Sequence, residues 1–85
     1  LEIHKAIPTA GGMAGAVFNA AKEQALDDFI AGRIRFTDMA GAVAHALDLA
    51  AGRPGFGTSP DSLEAVLEWD AQARRDAAAW QTAAA

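Results

Sequence analysis

Apolar residues recur along this chain at helical spacing in three stretches, each closed by residue types that stop a helix. Over residues 13–31, Phe18, Ala21, Ala25 and Phe29 share a side, flanked by Val17, Leu26 and Ile30, while Lys22, Glu23, Asp27 and Asp28 take the opposite side. Gly32 stands where a left-handed C-cap is expected. Arg33 to Phe36 alternates basic and apolar residues, which predicts a short extended turn pointing Ile34 and Phe36 inward. Thr37 is a good N-cap, and Asp38 in the first turn suits the positive end of a helix dipole. The second helix is predicted over 38–51, with Met39, Val43, Ala46, Leu47 and Ala50 on one side and Gly52 ending it as Gly32 ends the first. Arg53 to Pro60 is punctuated by Gly and Pro and reads as a loop around Phe56.

The third helix is predicted over 61–82, capped by Ser59 or Ser62, with Leu63, Val66, Leu67, Ala73, Ala77 and Trp80 as its stripe. Residues 1–12 form a connector or a short helix, since Leu1, Ile3, Ala6 and Ile7 suit about two turns before Pro8 stops the run. The fold class is therefore all-α: a small bundle of three main helices, with room in residues 1–7 for a short N-terminal fourth. Short connectors and one-sided stripes favour bundle packing. Phe18, Phe29 and Leu67 sit at the centres of their stripes and are expected in the core, where Phe29→Ala would cost roughly 3–5 kcal/mol.

Size and charge narrow the function. The 85 residues fit one domain, 1–85. Composition is 52% hydrophobic and 21% charged, within the globular range. Much of the apolar share is alanine, which favours helix but adds little core volume. The net charge of −4 argues against nucleic acid as a partner. Cysteine is absent, and His4 and His45 are too few and too distant to suggest a zinc site. No apolar run approaches the roughly 20 residues that span a bilayer. No signal-peptide pattern is visible, so a cytoplasmic protein is expected. The chain opens on Leu1 and not on methionine, which is expected of a fragment, a processed product or a trimmed chain.

Four constellations bear on chemistry. Gly11-Gly12-Met13-Ala14-Gly15 precedes a helix, and helix N-termini attract phosphate. No strand leads into it, however, and its spacing is neither the dinucleotide nor the P-loop pattern, so it reads as a turn. Asn19 and Glu23 lie four residues apart on one helix face, either as contacts to a partner or as a local solvated pair. Asp70 falls on the apolar stripe and needs a counter-charge, from Arg74 one turn on or from Arg33, Arg35 or His45 in space. Trp69 and Trp80 share a helix side, with Trp80 expected in the core and Trp69 at its edge. No catalytic, cofactor-binding or metal-binding set of side chains can be assembled.

The Gly-rich turn, Asn19-Ala20-Ala21-Lys22-Glu23, and Ile34-Arg35-Phe36-Thr37-Asp38 together resemble the C-terminal helical domain of the 1-deoxy-D-xylulose 5-phosphate reductoisomerase family. That family has Asn-Ala-Ala-Asn-Glu, then an Ile-x-Phe-x-Asp turn, and later Asp-Ala and Ala-Arg pairs matched by Asp70-Ala71 and Ala73-Arg74. The resemblance covers residues 11–80. Lys22 departs from the family's Asn, and Pro8 interrupts a helix that the family continues. The resemblance implies a domain without catalytic residues that packs on the catalytic portion of an isoprenoid-pathway enzyme. That enzyme uses NADPH with Mg²⁺ or Mn²⁺, none of them bound by this chain, to make 2-C-methyl-D-erythritol 4-phosphate. The surface near Val17, Asn19 and Glu23 is the expected interdomain contact, or is covered by self-association. The alternative is a free-standing helical module that binds another protein.

Overall fold

The computed structural model describes residues 12–58 and 62–84. Three α-helices form, α1 over Ala14–Ile30, α2 over Met39–Ala51 and α3 over Leu63–Ala84, with a 3-10 turn at Phe36–Asp38 before α2. Among the described residues there is no strand, and the fold is an all-α bundle as the sequence predicts. No described helix is long and apolar enough to cross a membrane. The short helix expected over 1–7, and Ser59 as a cap, lie outside the described residues. Ser62 does cap: its Oγ accepts the Ala65 amide at 3.1 Å. α3 runs to Ala84, past the expected end at 82, because no Gly or Pro interrupts its alanine-rich end.

Two clusters of buried side chains define the packing. Met13, Val17 and Ala20 of the α1 end meet Ala50 and Ala73; one layer along, Ala21 and Ala25 meet Ala42, Ala46 and Ala77. The order of these residues means that α3 runs parallel to α1, and α2 runs antiparallel to both. The buried side chains are mostly alanine, spaced four apart along α2 (Ala42, Ala46, Ala50) and α3 (Ala73, Ala77). Small side chains on facing ridges let helix axes approach at the short end of the usual 8–10 Å. A ring in that seam would wedge the helices apart.

This overturns the expected core. Phe18, Phe29 and Leu67 are 42%, 39% and 56% exposed, while the alanines beside them are buried. The large side chains flank the seam. Trp69 packs on the first cluster and Trp80 on the second, both half-buried, so neither is wholly core. Gly41 makes room for Trp80, since a Cβ there would lie 2.7 Å from the indole Cζ2. Ile34 does turn inward onto the second cluster, but Phe36 is 71% exposed.

The ends of the helices obey local rules with two exceptions. Gly32 takes the left-handed conformation, φ +81°, as a C-cap glycine should. Gly52 ends α2 in the right-handed region at φ −85°, and the chain turns left-handed only at Gly55. Thr37 makes no cap. Instead the Asp38 carboxylate accepts the Arg35 amide at 3.0 Å, closing the 3-10 turn. The loop after α2 is latched onto the start of α1: the Met13 amide donates to the Phe56 carbonyl at 2.9 Å. Gly12, at φ +48°, lies so close to this loop that a side chain would strike the Phe56 and Thr58 carbonyls. Gly12 is thus in tight backbone contact with the loop.

Candidate functional site

The α1 side away from the seam carries apolar side chains. With 3.6 residues per turn, Phe18, Lys22, Leu26, Phe29 and Ile30 fall within about 120° of arc. All five are exposed. The Lys22 ammonium sits 5.9 Å from the Phe18 ring centroid, within reach of a cation–π attraction. Past Gly32 the chain brings Phe36 back against Phe29, edge to face, with centroids 5.8 Å apart. The result is a largely apolar exposed face, with Lys22 and Asn19 among its side chains, that runs along α1 and ends in a knuckle at Phe29, Ile30 and Phe36.

Two ion pairs fasten the knuckle. Asp28, which the sequence places on the solvent side, is 1% exposed. Its Oδ1 accepts Arg33 Nε at 3.0 Å, Arg33 Nη2 at 2.8 Å and Gln24 Nε2 at 3.1 Å, while its backbone carbonyl accepts the Arg33 amide at 2.8 Å. Burial of a charge at this position is supported by charge-assisted bonds on one oxygen. Oδ2 takes no hydrogen bond among the described residues. On the other side of the turn Asp38 accepts Arg35 Nε and Nη2 at 3.2 and 3.3 Å. Those bonds hold the Asp38 carboxyl below its ordinary pKa and raise that of Arg35.

The expected contact residues divide. Val17 is fully buried in the first cluster, so it has no surface to offer a partner. Its expected role fails because the α1 side facing the alanine seam, at Ala20, Ala21 and Ala25, takes Val17 inward with it. Asn19 and Glu23 are exposed, and Asn19 Nδ2 donates to Glu23 Oε2 at 3.3 Å. Glu23 Oε1 also accepts Arg74 Nη2 from α3 at 2.7 Å, and Arg74 Nε donates to Asp70 Oδ1 at 2.7 Å. Arg74 therefore answers Asp70, as the spacing suggests, and ties α1 to α3 as well. Hydrogen bonding to Arg74 lowers the Glu23 pKa, and its two carboxylate partners raise that of Arg74. Arg33 and Arg35 serve the knuckle instead.

The other surface features offer less. An open groove of about 390 Å³ is lined by Arg53, Pro54, Glu68, Trp69 and Gln72. Two of its polar side chains are engaged: Arg53 Nη1 and Gln72 Nε2 both bond the buried Asp76, at 2.8 and 3.0 Å. No three metal-ligating side chains converge among the described residues. The amide of Met13, the residue before α1, is bonded to the Phe56 carbonyl and is no donor for a ligand there. Sequence reasoning missed the apolar face because it treated the largest apolar residues as core. The alanines at four-residue spacing were the available signal.

A sequence profile of the DXP reductoisomerase C-terminal domain family matches residues 1–76. The chain is 73% identical over 75 residues to 1-deoxy-D-xylulose 5-phosphate reductoisomerase of Paracoccus denitrificans, covering 88% of this chain and 19% of that protein. It is 52% identical over 77 residues to the protein of that name from Cereibacter sphaeroides, covering 91% and 20%. It is 44% identical over 79 residues to that from Jannaschia sp., covering 93% and 20%. The chain thus spans about a fifth of the length of the curated relatives it matches. No solved structure matches it.

Proposed function

The chain belongs to the family of DXP reductoisomerase C-terminal domains, and from that premise we propose that residues 1–85 act as one helical, non-catalytic unit at the C-terminal end of a 1-deoxy-D-xylulose 5-phosphate reductoisomerase. The observation that carries the reading is the match across residues 1–76, shared with relatives most of whose length lies elsewhere. The whole enzyme would rearrange 1-deoxy-D-xylulose 5-phosphate and reduce it to 2-C-methyl-D-erythritol 4-phosphate in the cytoplasm, a step of isoprenoid synthesis. NADPH and Mg²⁺ or Mn²⁺ would supply the hydride and the Lewis acid. The described residues do not fit either group: no metal-ligand cluster forms among them, and Gly12 and Met13 are packed on the Phe56–Thr58 backbone. Both would be held by the rest of the enzyme.

The unit's contribution is mechanical. A helical body held by an alanine seam and by the Arg74 tie is a stiff support, with Asn19 and Glu23 at the border of its exposed face. The free-standing module is not favoured, because the matching relatives are enzymes about five times as long. Two measurements test the reading. The full-length protein should oxidise NADPH with 1-deoxy-D-xylulose 5-phosphate and Mg²⁺, and no turnover would refute it. Calorimetric titration of the 85-residue chain with NADPH and Mg²⁺ should give no heat of specific binding, and micromolar affinity would overturn the non-catalytic assignment.

A further inference from the structure

We infer that the outer face of α1, from Phe18 to Ile30 and closed by Phe36, is seated against the body of the same enzyme, and that the body meets it with an apolar surface edged by carboxylates. The inference rests on the proposed reading of the chain as a C-terminal unit, and it names the partner and the chemistry of the contact.

Four observations carry it. The face is open: Ile30 and Phe36 are 72% and 71% exposed, and Phe18, Leu26 and Phe29 lie along the same helix with Lys22 and Asn19 among them. Contiguous apolar patches on soluble domains mark interaction sites. The face is also rigid, because the left-handed Gly32 turn, the Asp28–Arg33 bonds and the Arg35–Asp38 fork fix the knuckle. A patch that is already ordered loses little conformational freedom when it docks.

The occupant follows from length and charge. About four-fifths of each relative's length lies outside this chain, and a tethered body meets the face at high effective concentration. The chain carries a net charge of −4, yet Lys22, Arg33 and Arg35 stand on or beside this face. The side chains of Arg33 and Arg35 are 53% and 83% exposed. Each pairs through Nε and Nη2, which leaves the Nη1 donors of both guanidiniums for carboxylates on the partner. A second copy of this chain is a poorer occupant. It would have to reach the face at its bulk concentration, without the tether that holds the body beside it.

The test uses the full-length protein with Ile30→Glu and Phe36→Glu combined, Arg35→Glu alone, and Ala79→Glu on exposed α3 as a control. In the unchanged protein and the control, the C-terminal unit should melt together with the body. The double variant should show a separate transition, and protease should release the unit at least about tenfold faster, since cleavage follows the undocked population. Arg35→Glu should loosen the unit less, and added salt should narrow its difference from the unchanged protein. The 85-residue chain bearing the double change should stay folded, its melting temperature lowered by no more than loss of the Phe29–Phe36 edge contact explains.

Three results would overturn the inference. One is a double variant that melts and cleaves like the unchanged protein. Another is a drop in the melting temperature of the 85-residue chain large enough to explain the release. The third is a dimer of the 85-residue chain in sedimentation that the double variant disperses, which assigns the face to a second copy. NADPH-dependent turnover by the unchanged full-length protein is scored separately, so the family reading can stand while the docking face falls.

Discussion

Ala46→Leu should destabilise the 85-residue chain more than Leu67→Ala, against the ordinary ranking of core and surface. Ala46 is fully buried, between Ala21, Ala25, Ala42 and Ala77. Leucine is nearly as good a helix former as alanine, so the change acts through packing. Three extra carbons must enter a seam between three helices, and overpacking of this kind costs about 2–3 kcal/mol. Leu67 is 56% exposed. Full burial of a leucine is worth about 1.5–3 kcal/mol, so its truncation should cost about 1 kcal/mol. Phe29→Ala, by the same arithmetic on a side chain 39% exposed, costs about 1–2 kcal/mol. That is well under the figure for a core phenylalanine. A domain of this length is held by about 4–13 kcal/mol in all. One kcal/mol moves the midpoint of such a domain by about 4–8 °C. Thermal melts followed by circular dichroism should therefore show Ala46→Leu falling by about 10–20 °C and Leu67→Ala by about 4–8 °C. The reverse order would refute the alanine seam and restore the large side chains to the core.

Three further outcomes follow from particular contacts. Asp28→Ala removes the buried carboxylate that gathers Arg33 and Gln24 and should cost about 1–3 kcal/mol in urea denaturation; an unchanged midpoint would show that the carboxylate contributes nothing net. Gly32→Ala meets no atom but must adopt φ +81°, at about 1–2 kcal/mol, whereas Gly12→Ala adds a collision with the Phe56 and Thr58 carbonyls. Gly12→Ala should therefore be the worse of the two in parallel melts, and equal melts would remove the loop contact. The Glu23 pKa is lowered by Arg74, so this pair stabilises the fold above the ordinary carboxyl value of 4.5 and is lost as pH falls through the lower folded value. Arg74→Gln should raise the Glu23 titration midpoint read by NMR, and an unmoved midpoint would dismiss the bond.

What the sequence determined by itself was local. Period, caps and breakers placed three helices within a residue or two, because a helix end is decided by groups a few positions apart. Gly32 needed only its own freedom at positive φ, and Asp70 needed only Arg74 one turn on. The motifs at Asn19–Glu23 and Ile34–Asp38 carried the family. Which face of each helix would be buried was another matter. On α1 the stripe of Phe18 and Phe29 and the stripe of Val17, Ala21 and Ala25 overlap, and both are apolar. Only the approach of α2 and α3 chooses between them, and helices lined with alanine approach too closely to admit a ring. The same approach buries Val17, spreads Trp69 and Trp80 over two clusters, and brings Arg74 to Glu23 across 51 positions of chain. Asp28 reads as a solvent charge until Arg33 is folded onto it. Periodicity along one helix records that apolar area exists; the volume available between helices decides which part of it goes inside.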